Sequence, residues 1–345
     1  MYRTSFLTLL CTICILVIPL DAGDYYSNAN KAIFVFPQYS ALGGSPLAFS
    51  RDGSPMSNPA NISLESARAL SLSYSGYFDN TFSTTLASFV TQIKDNIGAG
   101  VFAGYIYIPN IEITEGFDVY PDTDIPIYDE SKLTYESSSE VFMNFSFGYT
   151  ILSTANISAT AGASFHCQRR RLIDWTGYGI GLDVGTTVEL PRAGVRFSLL
   201  LDDITTNYIR WSSDYHNNAL PHARLGIGWQ REIPYIYGKI RIMYKSPDLL
   251  GNDGVGYIFL GDDEKEPEKQ SVKDEPGLVF TAAAYGVEYT VQKIVALRVG
   301  LDESKRLFFG AGINLFKRSL FFDFSYMVSN DLPGTYSLSM GYHWK

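Results

Sequence analysis

The chain has 345 residues, a formal net charge of −9 and only 18% charged residues, alongside 24 Tyr, 22 Phe and 30 Gly. That charge balance excludes non-specific nucleic-acid binding, which needs a basic surface to neutralise phosphates. Low charge with many aromatics and glycines suits a wall of strands whose rings meet a membrane interface, and the length suits one large barrel or two ordinary domains.

Residues 1–23 read as an export signal. Arg3 supplies the positive end, Phe6–Leu20 the apolar stretch, and Leu20-Asp21-Ala22-Gly23 small residues for cleavage. No other stretch approaches ~20 uninterrupted apolar residues, so any membrane span is expected to be built from strands. Cys11 and Cys14 leave with the signal and Cys167 remains alone, so no internal disulfide is expected despite export. Residues 24–68 lack alternation and are punctuated by Gly43-Gly44, Pro46, Gly53, Pro55 and Pro59, with one helical turn expected near 64–68. Such an irregular piece needs something to pack on. Inside a barrel it is a plug; in a soluble protein it is a tail.

From residue 69 to the end, apolar and polar residues alternate in segments near 69–78, 82–93, 98–109, 139–152, 156–168, 173–188, 193–202, 220–231, 234–246, 277–291, 293–302, 305–316, 319–328 and 334–344. Alternation alone fits a soluble sandwich or a membrane barrel. The connections decide between them. Long links, at 110–138, 203–219 and 247–276, all follow odd-numbered segments, whereas even-numbered segments end in brief turns. One rim of short turns and one of long loops is the layout of an outer-membrane barrel. The reading is therefore all-β: a transmembrane antiparallel β-barrel of about fourteen strands over 69–345, expected to be monomeric and to sit in outer-membrane lipid. The last strand, Gly334–Trp344, is expected to close the ring on the first, around Leu70–Tyr77, with Tyr342 and Trp344 in the interfacial aromatic belt.

One face of the predicted strands carries Phe147, Tyr178, Leu297 and Phe324; the other carries Gly and Ser with Asp183, Arg196, Arg224, Lys239, Arg241, Glu288, Arg298 and Asp323. A basic group facing lipid at the midplane costs ~2–4 kcal/mol, so the charged face must line a lumen. A tight turn near Lys293 places Glu288 opposite Arg298, predicting an ion pair that Asp323 can join. The basic group Arg196, Arg224, Lys239 and Arg241 either selects anionic solutes, docks an acidic plug or partner, or balances inward acids such as Asp183. Tyr208 and Trp211 in one external loop, and Tyr257 and Phe259 in another, either bind a partner or hydrophobic ligand or pack over the barrel mouth. His166, His216, His222 and His343 show no metal spacing, and no nucleophile or phosphate-loop motif stands out, so neither metal, cofactor nor catalysis is expected.

Ala41-Leu42-Gly43-Gly44 with Ala48, followed by Asn58-Pro59-Ala60, resembles the N-terminal segment of FadL-like barrels, and most closely the PorV/PorQ branch. The likeness continues through Leu220-Pro221, Gly286-Val287-Glu288-Tyr289, Leu297-Arg298-Val299-Gly300, Asp323-Phe324-Ser325-Tyr326 and Gly334–Ser339. Asn61 stands where that family often has Gly, and Lys345 follows the terminal aromatic. The resemblance implies a fourteen-strand FadL-like barrel whose plug motif, Gly43, Gly44, Asn58, Pro59 and Ala60, latches to the wall. It implies association with type IX protein secretion, with secretion-system components or exported proteins as partners bound by loops and rim. Its alternatives are a FadL-like channel for hydrophobic molecules, which a kinked strand with inward Phe102, Ile106 and Ile108 would favour, and a structural barrel or adhesin.

Overall fold

The structure, a computed structural model, describes residues 31, 33, 35–49, 54–64, 68–113, 133–252, 271–316, 319–329 and 332–344. The expected signal segment and the loop aromatics Tyr257 and Phe259 lie outside the described residues.

Among the described residues there are sixteen strands. The first seven are β1 (Arg68–Tyr77), β2 (Phe82–Lys94), β3 (Ile97–Ile113), β4 (Thr134–Ser153), β5 (Ser158–Leu172), β6 (Trp175–Leu190) and β7 (Val195–Asp202). A short hairpin follows, β8 (Tyr208–Trp211) and β9 (His216–Asn217). The wall resumes with β10 (His222–Ile233), β11 (Gly238–Lys245), β12 (Ala284–Val291), β13 (Val295–Leu301), β14 (Leu307–Leu315), β15 (Leu320–Met327) and β16 (Thr335–Trp344). Every wall strand pairs antiparallel with its neighbours. β16 pairs with β1 from Arg68↔Trp344 to Gly76↔Tyr336, so fourteen strands form a closed ring with no free edge. No helix among the described residues is long and apolar enough to cross a membrane.

The period-2 pattern explains the wall. In β1, Leu70, Leu72 and Tyr74 are exposed while Ser71, Ser73 and Ser75 are buried, although both sets belong to one strand. Tyr178, Ile180 and Leu182 on β6, Leu297 on β13 and Phe324 on β15 are likewise exposed on the outside. An aqueous protein buries such residues. Here they form the outer surface, and the serines of the opposite face turn inward.

Two expectations need correction. Residues 277–283 do not extend β12: Leu278–Thr281 is a helical turn that packs with Val272 and Ala282, and the run Ala282-Ala283-Ala284 has no alternation to carry a strand outward. The stretch 203–219 is not wholly a loop, because β8 pairs with β6 and continues the wall above β7. Four residues are too few for alternation to reveal. The helical turn expected near 64–68 falls mostly outside the described residues; a 3-10 helix spans Pro59–Leu64.

Candidate functional site

The N-terminal segment lies against the interior of the wall. Helical turns at Pro37–Ser40, Ser54–Ser57 and Pro59–Leu64 bury Ala41, Leu42, Leu47, Asn58, Ala60, Asn61 and Ile62. The wall makes room with inward glycine. A Cβ at Gly162 would overlap the Pro59–Ala60 peptide, and one at Gly300 would overlap Leu42. Gly43 and Gly44 adopt φ of 64° and 71°, the left-handed conformation in which glycine has no steric penalty, and Gly43 turns the chain against the Leu301 carbonyl.

The Asn58-Pro59-Ala60 motif is seated on β5 and β6. Asn58 Oδ1 accepts from the Ala60 amide at 3.0 Å, and its Nδ2 donates to Thr187 Oγ1 at 3.3 Å. Asn61 is part of this seat: its Nδ2 donates to the Leu47 carbonyl at 2.9 Å, and its Oδ1 accepts from Thr187 at 2.8 Å. These bonds satisfy amide groups that would otherwise be stranded in a buried site.

Two charged groups occupy different arcs of the interior. On β11–β15, Glu288 takes Arg241 Nη1 at 2.7 Å and Arg298 Nε at 2.8 Å, and Arg298 reaches Asp323 across Gly312. Arg196 pairs with Glu189 at 3.1 Å and Arg224 pairs with Asp202, while Lys239 points inward half-buried. Arg196 and Arg241 also stand over the Phe49 ring, at 4.9 and 5.8 Å from its centroid. Arg196 and Arg241 thus hold the N-terminal segment by attraction to the π face of Phe49.

Asp183 is not the partner of that basic group. It belongs to a second cluster, which sequence reasoning missed. Lys31 Nζ lies 2.8 Å from Asp183 Oδ1 and 3.0 Å from Asp203 Oδ1. Buried His166 stands between the same carboxylates, with Nδ1 3.3 Å from Asp183 and Nε2 3.0 Å from Asp203, both off hydrogen-bond geometry. One ligand atom each from His166, Asp183 and Asp203 lie within 4.8 Å of one another, a donor set that could hold a metal ion; the Lys31 ammonium already brings a cation to both carboxylates. Burial alone would raise the Asp203 carboxyl, but Lys31 and His166 outweigh it and hold that group below the usual carboxylate range. A signal existed for half of this cluster: the tight β5–β6 turn fixes the register that faces His166 and Asp183 inward on adjacent strands.

Beside this cluster the interior turns apolar. Leu86, Phe102, Ile106 and Phe142 of β2–β4 are buried, and Phe36 and Tyr39 of the N-terminal segment close over them. Phe36 meets Phe102 edge-on at 6.1 Å, Phe102 meets Phe142 at 6.3 Å, and Phe142 stacks on His166 at 5.4 Å. Phe82 and Ile108 carry the stripe toward the long-loop rim. There the β3–β4 ladder slips between Ile108 and Ile111, at Pro109, which lacks an N–H, and Asn110, whose φ is 53°.

Tyr208 and Trp211 do not hang in a free loop. They sit on β8 against β6: Tyr208 is exposed and stacks on His216 at 5.8 Å, while Trp211 Nε1 donates to Asn217.

No protein-family model matches the chain, and no curated protein matches it. Among solved structures, the chain superposes on the P. putida toluene transporter TodX with a TM-score of 0.51 at 10% identity, covering 90% of this chain and 98% of that one. A deltaS2S3 mutant of the TodX monoaromatic hydrocarbon channel gives 0.52 at 11% identity with the same coverage. At such identity the likeness is one of fold: a closed fourteen-strand antiparallel barrel.

Proposed function

We propose that this chain is an outer-membrane barrel that admits hydrophobic small molecules, with residues 24–68 acting as its plug. The observation that carries this reading is the apolar stripe on β2–β4, larger than the other apolar clusters among the described residues and covered by two aromatic side chains of the N-terminal segment. An apolar ligand displacing Phe36 from Phe102 and Phe142 would inherit an aromatic-lined surface, and each fully buried ring of this kind is worth ~1.5–3 kcal/mol. The slip in β3 where the stripe reaches the rim supports the same reading. So does the fold shared with a toluene transporter, at the level of architecture. The secretion association implied by the PorV/PorQ resemblance draws no support from these comparisons.

The test is equilibrium binding of a fluorescent apolar probe to the purified full-length chain. Micromolar binding that falls at least ~10-fold in Phe102→Ser/Phe142→Ser supports the proposal. Binding unchanged by the double substitution removes the stripe from the account.

A further inference from the structure

We infer that the outer wall carries a binding site for the phosphate head of a membrane lipid, built around Arg169 and Arg171 of β5. The inference rests on the reading that this wall faces a bilayer.

Three consecutive arginines end β5, and alternation splits them. Arg170 turns inward, where its Nε donates to buried Glu140 at 2.7 Å. Arg169 and Arg171 turn outward and are exposed, and neither forms an ion pair among the described residues. Arg169 stands opposite Val141 and Tyr178, and Arg171 opposite Ser139 and Thr176, on the neighbouring strands. Ser139, Val141, Arg169 and Arg171 line one shallow cavity of about 120 Å³. Two guanidiniums on one face with no carboxylate of the described residues between them repel each other, and their planar donor forks match a phosphate.

Height on the wall selects the source of that phosphate. Below Tyr178 the outward residues of β6 are apolar down to Val188 except Thr186, and ten residues at ~3.3 Å with ~40° tilt cover roughly 25 Å, the height of a lipid-facing band. Arg169 therefore lies level with the upper edge of that band and Arg171 just above it. Tyr105 and Tyr107 of β3, exposed and stacked at 6.4 Å, continue the same row. Phe165 and Met143 continue the outer face downward, offering acyl chains an apolar path directly beneath the head group. A free phosphate would use only the arginines. A phosphorylated lipid matches both halves of the surface.

The experiment titrates the detergent-solubilised full-length chain with diphosphorylated lipid A and with its dephosphorylated form, counting bound lipid by native mass spectrometry. The wild type should prefer the phosphorylated form by ~10-fold, Arg169→Gln/Arg171→Gln should abolish the preference, and Arg169→Lys/Arg171→Lys should retain part of it. Equal binding of both forms by the wild type, or a preference that survives the glutamine substitutions, overturns the inference. Complete displacement of lipid A by millimolar inorganic phosphate would make this a free-anion site, and also overturns it. Flotation with phosphatidylcholine vesicles separates the two readings. A wild type that fails to float removes the bilayer reading itself, whereas one that floats without phosphate preference removes only the lipid site.

Discussion

Lys31 and Asp183 lie 152 positions apart in the chain, yet Lys31 Nζ sits 2.8 Å from Asp183 Oδ1 inside the barrel. The side chains of Lys31, Asp183 and Asp203 are only 15%, 6% and 0% exposed, so this pairing holds the start of the N-terminal segment in a largely dry environment. It lies next to the apolar stripe, through the stacking of His166 on Phe142, and so couples the seating of the segment to the surface it covers.

Lys31→Met leaves two buried carboxylates without their ammonium partner. Breaking a buried pair on one side costs ~3–5 kcal/mol, here expected as loss of segment docking rather than of the barrel. Limited proteolysis should cut the variant's N-terminal segment faster while the wall stays intact. Adding Asp203→Asn should recover part of the loss, because it removes one of the stranded charges.

The same latch sets a pH response. The folded Asp203 carboxyl is held below its ordinary value, so its contribution is fully present above the unfolded pKa of ~3.9 and is lost as pH falls through the depressed folded value. Release of the segment, followed by a fluorophore near residue 31, should therefore occur only in strong acid. Release already complete at neutral pH would show that the Asp203 carboxylate does not hold the segment.

Gly162→Val should unseat the plug motif, because even a Cβ there overlaps the Pro59–Ala60 peptide. Overpacking of this kind costs ~1–3 kcal/mol, and the expected readout is a several-fold rise in single-channel ion conductance in planar bilayers. Conductance equal to wild type would mean that the segment does not limit the pore.

Arg298→Met removes the centre of the Glu288–Arg298–Asp323 chain and leaves Asp323 without that cation. The expected loss is ~3–5 kcal/mol in urea unfolding from vesicles, and Arg298→Lys should recover less than half, since one ammonium does not reproduce the two-sided reach of a guanidinium.

Most of the wall was legible because its signal is local. Alternation places Leu70, Leu72 and Tyr74 on one side and the intervening serines on the other, and short turns fix registers such as Glu288↔Arg298. The closing pair β1–β16 was legible from topology, since a ring must join its ends. What stayed hidden is non-local or too short. Lys31 belongs to an irregular segment with no register, so nothing ties it to Asp183 until the chain is folded. The four residues of β8 give alternation too little length, and so Tyr208 and Trp211 read as loop aromatics. The inward glycines read as room for a plug or a channel; which residues fill it, Leu42 at Gly300 and Pro59 at Gly162, depends on the folded segment.

The central claim is that the plugged barrel passes hydrophobic molecules. Flux into proteoliposomes tests it most directly, comparing an apolar aromatic probe with a sugar of similar size. The account predicts several-fold faster entry of the aromatic than in protein-free vesicles, lost in Phe102→Ser/Phe142→Ser, with no acceleration of the sugar. Equal acceleration of both solutes, or of neither, would contradict it.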